Sequence, residues 1–156
     1  MFVLADYSVI WADEQTEGRG RFARIWDSQP GLDLTFSILL PLTSLEQQRR
    51  QNITQIAALS IAQALEGYGL KPSVKWPNDV LIQGKKISGI LCEITEKDER
   101  VCGVLGIGIN VNNTEKFLAS LDIPATSLRC ELRHKVVRQD LLKKLLEIII
   151  NCFNVL

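Results

Sequence analysis

Histidine is nearly missing from this chain, with His134 the only one. Zinc sites built on histidine and Cys–His nucleophilic pairs are therefore not expected. The four cysteines, Cys92, Cys102, Cys130 and Cys152, include no C-x-x-C pair and read as small buried thiols in a reducing cytosol. Net charge is missing too, since 18 Lys plus Arg balance 18 Asp plus Glu. That argues against a long nucleic-acid surface and against an acidic solvating tail. No apolar run suffices to span a bilayer, because the closing "LLKKLLEIIINCFNVL" is interrupted by Lys143, Lys144 and Glu147. The opening "MFVLADYSVIWADEQ" meets Asp6 after a few apolar residues and has no basic leader. No signal peptide is expected, and a cytoplasmic location is. Internal repeats and low-complexity linkers are absent as well. What remains is one domain over residues 1–156, with its sharp chemistry concentrated locally.

Phe2 to Leu4 and Tyr7 to Ala12 have strand character, broken near Asp6. "LTFSILLP" places Leu34, Phe36, Ile38 and Leu40 on one side and stops at Pro41, the pattern of a half-buried strand. Ser44 and Gln47 have the spacing of a capping box. The stripe that follows, Ile53, Ile56, Ala57, Ile61, Ala64 and Leu65, predicts a helix ended by Gly67 and Gly69. "VKWPNDVLI" and "KISGILCEI", separated by Gln83-Gly84, predict a hairpin with Trp76 and Pro77 in the turn before it. "VCGVLGIGINVN" predicts a further strand. Its Leu105, Ile107, Ile109 and Val111 face the core, with Gly106, Gly108, Asn110 and Asn112 opposite. A face without side chains can take a flat ligand against its backbone, or the glycines can serve a twist or bulge. From Val137 onward, Leu141, Leu142, Leu145, Leu146, Ile149, Cys152 and Phe153 describe a closing amphipathic helix. The fold class expected is α+β, a mixed or antiparallel sheet backed by helices.

Residues 17 to 26, "EGRGRFARIW", concentrate three arginines and two glycines ahead of a tryptophan. Gly18 and Gly20 favour a mobile loop. Arg19, Arg21 and Arg24 offer rigid donor forks for phosphate or carboxylate oxygens. A solvated charge run or an RNA-binding Arg/Gly segment has the same composition. Lys75, Asn78, Asp79 and Lys86 crowd the hairpin, where a lysine, a carboxamide and a carboxylate suit a phosphate, a base edge and a hydrated Mg2+. Equally, Asp79 can pair with Lys75 across the surface, and Trp76 can be core.

Together "GRGRFARIW", "KWPNDVLIQGKKISGIL" and "GIGINVN" resemble the catalytic domain of biotin protein ligases in content, order and spacing. That family activates biotin with ATP to biotinyl-AMP and transfers biotin to a lysine of a carboxyl carrier domain. The resemblance implies ligase activity, biotin and ATP as substrates, Mg2+, a biotin carboxyl carrier domain as partner, and no nucleic acid or membrane. A homodimer is compatible with it. It implies catalytic roles for Lys86, Arg21 and Arg19, with Lys86 at the carboxylate and α-phosphate. It places Gln15, Gly18, Arg19, Lys86 and Gly89 around biotin, and Arg21, Arg24, Trp26, Lys75, Asn78 and Asn110 around the nucleotide. Asp79 is the implied Mg2+ ligand. A reactive mixed anhydride needs shielding from water, so the loop is expected to be mobile when empty and to close on ligand.

The chain departs from the family pattern in three places. Ala23 stands where the motif has a third glycine. The family's Ser/Thr-Asn segment ahead of the first strand is not in this sequence, and neither is its small C-terminal β-domain. An N-terminal DNA-binding region is also missing, so no repressor role is expected. Two alternatives follow: a ligase-like binding or regulatory module without turnover, and a ligase for a related acyl acid such as lipoate.

Overall fold

The computed structural model of this chain describes residues 5–97 and 99–153, so the expectation of strand at Phe2 to Leu4 lies outside the described residues. The first half contains Val9–Ala12 (β1), Leu34–Pro41 (β2), Gln47–Arg50 (α1), Ile53–Glu66 (α2), Pro72–Lys75 (β3) and Asp79–Ile82 (β4). The second half adds Lys85–Lys97 (β5), Arg100–Ile109 (β6), Glu115–Leu118 (α3), Leu128–Leu132 (α4) and Arg138–Phe153 (α5). The six strands form one sheet in the order β1-β2-β6-β5-β4-β3, and every neighbouring pair is antiparallel. Of the two sheet types expected, the antiparallel one is observed. The parallel contact is an isolated bridge between Lys86 and Ala125.

Alternation decides which face is buried. Leu34, Phe36, Ile38 and Leu40 of β2 register against Ile109, Ile107, Leu105 and Gly103 of β6, and all these apolar side chains are buried. Over them lie α2 and α5, which pack on each other. Their buried rows are Ile53, Ala57, Ile61, Ala64 and Leu65 on one helix and Leu141, Leu145 and Ile149 on the other. Truncating one such leucine to alanine costs about 2–5 kcal/mol, because the cavity does not fully collapse. Cys92 faces this layer, opposite Leu105, and burial first, then the Glu93 carboxylate, pushes its thiol up to about 11. It is a neutral packing group at physiological pH. Among the described residues no helix is long and apolar enough to cross a membrane.

The expected turn at Trp76 and Pro77 forms: it separates β3 from β4, and Trp76 is 75% exposed rather than core. The structure corrects three local expectations. The capping box does not form. The cap of α1 is Glu46 without a side-chain bond, and α1 ends before α2 begins at Ile53. The first strand shortens to Val9–Ala12, because Tyr7 takes φ 61°, outside the extended region. The last strand stops at Ile109, so Asn110 and Asn112 lie past its end rather than on its glycine face. The Gln83-Gly84 turn does form as expected. Both residues have positive φ (49° and 79°), as a two-residue hairpin matched to strand twist requires.

Candidate active site

The face of the sheet away from α2 and α5 carries the site. Strand register sets Lys75, Asp79, Gly89, Gly108, Thr35 and Ala12 in one row across all six strands. Beside it runs a second row, Leu91, Gly106, Ser37 and Ile10. Gly89 and Gly108 are direct partners, so two adjacent strands present bare backbone at one spot. A flat ring does lie there, and it belongs to the chain itself. The Trp26 indole covers both glycines. A Cβ on Gly89 would come 3.2 Å from its Cζ3, and one on Gly108 would come 2.6 Å from its Cζ2. The indole Nε1 is buried without a hydrogen-bond partner among the described residues, a cost of about 1–3 kcal/mol.

Trp26 reaches this floor because the arginine loop folds into a small hairpin. Trp26 N–H donates to the Gly18 carbonyl at 2.9 Å, Gly20 N–H to the Arg24 carbonyl at 2.7 Å, and Arg24 N–H to the Arg21 carbonyl at 3.2 Å. A side chain at Gly18 would run into the Trp26 carbonyl oxygen, so glycine is required there. At the tip, residues 21–23 form a single 3-10 turn, with Phe22 in the left-handed region at φ 56° and 83% exposed.

The side chains of the loop divide by where they land. Arg21 Nη1 donates to Asn78 Oδ1 at 3.4 Å, and its guanidinium lies 5.0 Å from the Phe22 ring centroid. Arg19 pairs with Glu93 at 3.3 Å, but both side chains are more than half exposed, and such pairs contribute only about 0–1 kcal/mol. Arg24 makes no ion pair among the described residues, and neither does Lys75 of β3. Gln15 is exposed at the foot of the loop, where its backbone N–H donates to Ser28 Oγ at 2.9 Å.

The hairpin supplies the centre. Lys86 Nζ lies 2.8 Å from Asp79 Oδ1, with both side chains under one-fifth exposed. The same Nζ stands 5.8 Å from the Trp26 ring centroid. The Asp79 pairing therefore goes to Lys86 and not to Lys75, although Lys75 lies opposite it in the strands. A bulge between Val80 and Leu81 shifts the register and brings Lys86 to the Asp79 side of the sheet. Asn78 locks the turn: its Nδ2 donates to the Ile90 carbonyl at 3.1 Å, and its own carbonyl accepts from Ile90 N–H at 3.0 Å. Asn110 sits behind the lysine. It is buried, and its Nδ2 donates to the Thr126 carbonyl at 3.0 Å and more weakly to the Lys86 carbonyl at 3.5 Å. Its carboxamide fixes the backbone that carries Lys86.

Arg21, Trp26, Asn78, Asp79, Lys86 and Gly89 thus converge, Arg19 stands on the rim, and Gln15, Arg24 and Lys75 lie further out. A cavity of about 830 Å³ elsewhere, beside Lys85, Asp122, Thr126 and Arg133, includes none of them. Glu93 was not foreseen, although alternation from Gly89 through Leu91 puts it on the same face. Among the described residues no three His, Cys, Asp or Glu side chains gather as a metal set. At the loop's return, Asp33 is fully buried. Burial raises its carboxyl above the usual range, opposed by the Gln29 backbone N–H, the Asn113 side chain and the Arg138 cation.

The model of the biotin/lipoate A/B protein ligase family matches residues 4–110, which include the arginine loop, the hairpin and β6. The chain belongs to this family. It is 39% identical over 142 residues to the bifunctional ligase/repressor BirA of Bacillus spizizenii, covering 89% of this chain and 43% of that protein. It is 32% identical over 127 residues to the biotin–[acetyl-CoA-carboxylase] ligase of Mycobacterium tuberculosis, covering 79% of this chain and 45% of the relative. The chain thus spans less than half the length of these relatives. Its fold is similar to that of biotin protein ligase from Aquifex aeolicus in complex with biotin and ATP. There the TM-score is 0.82 and identity 34%, over 98% of this chain and 63% of that one. The α+β fold with its helix-backed sheet is therefore the family's fold, and Lys86, Asp79 and the loop sit on the sheet face that it leaves open.

Proposed function

We propose that this chain is one catalytic domain, over residues 1–156, that joins biotin to ATP as biotinyl-AMP and passes biotin to a lysine of a carboxyl carrier domain. The observation that carries the reading is the Lys86 ammonium, held over a two-glycine floor beneath an arginine-bearing loop. A biotin carboxylate oxygen bonds to the α-phosphorus of ATP as the bond to the β-phosphate oxygen breaks and pyrophosphate leaves. The acceptor amine then bonds to the biotinyl carbonyl carbon, loses a proton, and releases AMP. Both steps place two anions together, so the protein's work is orientation and charge compensation.

Lys86 is the cation for the carboxylate and α-phosphate, and Asp79 aims it. Arg21, anchored on Asn78, and Arg19, freed from Glu93, close on the phosphates, while Arg24 and Lys75 attract them from further out. Gln15, Gly18 and Gly89 border biotin, and Trp26, seated on Gly108, forms one wall of the nucleotide site. Asn110 acts through the Lys86 backbone. Asp79 is the one acidic side chain at the centre, and its Oδ1 is already charge-paired with the Lys86 ammonium at 2.8 Å. It does not build a resident metal site, so Mg2+ enters as part of the ATP substrate, held mostly by phosphates and water.

The test is pyrophosphate release. Release that requires biotin and ATP together supports the ligase, and release with lipoate in place of biotin moves the assignment to the other acyl acid. Binding of biotin by calorimetry without pyrophosphate release identifies a recognition module instead.

A further inference from the structure

The chain leaves the sheet at Asp13, runs through the arginine loop, and returns at Asp33. One side chain holds both stems. Arg138, the first residue of α5, donates through Nη2 to Asp13 Oδ1 and through Nη1 to the Asp33 backbone carbonyl, each at 2.9 Å. Its guanidinium also lies 5.0 Å from the ring centroid of Trp11, in β1. Only 14% of the Arg138 side chain is exposed, against 79% for Asp13. The stems are pinned to each other as well. Gly31 N–H donates to the Asp13 carbonyl at 3.0 Å, and Gly31 takes φ 71°, a conformation glycine adopts without strain. Helix α5 belongs to the buried layer on the opposite face, where Leu141, Leu145 and Ile149 fix it. Arg138 is therefore the tie between the buried helical layer and the root of the arm that carries the arginines.

We propose that Arg138 is a positioning residue that sets the angle at which the arm of residues 14–30 descends onto Gly89 and Gly108. A planar guanidinium makes two bonds in fixed directions while stacking on an indole, and a lysine cannot do all three. Holding both stems at once fixes the direction of the arm, not merely its attachment. A small rotation at the stems moves Trp26 off its two glycines and Arg21 off Asn78. Arg138 touches neither the floor nor Lys86, so its effect on chemistry is indirect. That the arm covers ligands rests on the proposed function. That Arg138 sets the arm's angle does not.

The two claims separate by experiment. Hydrogen–deuterium exchange of the whole chain without substrates reads the tie alone. Asp13→Ala removes an exposed partner and is expected to speed exchange of residues 14–30 by about two- to fivefold. Arg138→Lys loses the second donor and the stack and is expected to speed it about tenfold. Amides of α2, β5 and β6 keep their rates in both variants. Wild-type loop rates in Arg138→Lys overturn the proposal, and so does equal acceleration in α2, which makes Arg138 a general stabiliser. With substrates, Arg138→Lys is expected to raise KM for biotin about tenfold with kcat within twofold of wild type. Loss of kcat at unchanged KM overturns a positioning role even if the ligase assignment stands.

Discussion

Replacing Gly108 with alanine tests the glycine floor most directly. The added Cβ would sit 2.6 Å from Trp26 Cζ2 and 2.8 Å from Trp26 Nε1. Ordinary carbon contacts lie at about 3.5–4.0 Å, so the indole must rise by roughly 1 Å. The strand cannot yield instead, because β6 is hydrogen-bonded on both sides, to β2 and to β5. Overpacking of this kind costs about 1–3 kcal/mol. The loop is held mainly by its own turn, Arg21–Asn78 and an exposed Arg19–Glu93 pair, so it lifts before the domain unfolds. Gly106, two residues away on the same face, is the control. Its Cβ would meet Leu91 O at 3.5 Å and Ser37 Oγ at 3.8 Å, ordinary contacts. Gly108→Ala is expected to increase acrylamide quenching of tryptophan fluorescence. It should also lower kcat/KM for pyrophosphate release about 10-fold, the kinetic equivalent of about 1.4 kcal/mol. Its urea midpoint should stay near wild type. Gly106→Ala should match wild type in all three. If Gly108→Ala is indistinguishable from wild type, or Gly106→Ala is equally damaged, the floor does not seat Trp26 and the reasoning fails.

Four further outcomes are expected. Lys86→Ala should abolish pyrophosphate release while retaining the circular dichroism of the fold. Asp79→Asn should retain the fold and part of the activity, because it loses the charge that aims Lys86 but not the shape; equal loss in both variants would make Asp79 a reacting group. Burial raises the Asp33 carboxyl, so the folded state holds that proton at pH values where the unfolded chain has released it. Asp33 therefore makes stability fall as pH rises from about 3.8 through its folded value, and Asp33→Asn should flatten that limb in urea titrations; a limb of unchanged slope refutes it. Trypsin should cut after Arg19, Arg21 and Arg24 more slowly when biotin and ATP are both present, and equal cutting rates would show that the loop does not close on ligand.

The residues of the candidate site were legible because they are carried by local strings. "GRGRFARIW", "KWPND" and Lys86 are read residue by residue, and the hairpin that presents the lysine announces itself in Gln83-Gly84. The core strands were legible for the same kind of reason, as Leu34, Phe36, Ile38 and Leu40 repeat at the period of a strand. What failed were boundaries. The capping box at Ser44 lost to a break before Ile53, and the last strand stopped at Ile109, short of Asn110 and Asn112. Local pattern does not show where a competing tertiary contact will end an element. Arg138 was read as part of an amphipathic helix, with nothing in its neighbourhood to mark the bonds it makes to Asp13 and Asp33.

By itself, then, the order of residues determined the core strands and the two long helices, which side of each is apolar, and which cations and glycines the candidate site draws on. These follow from backbone geometry and periodicity, which act over a few residues. Only the folded sheet decided that Gly89 and Gly108 stand side by side, that the Trp26 ring rests on them, and that Asp79 pairs with Lys86 and not with Lys75. Each of those depends on strand register and one bulge, where a shift of a single residue exchanges the faces and no local preference sets the outcome.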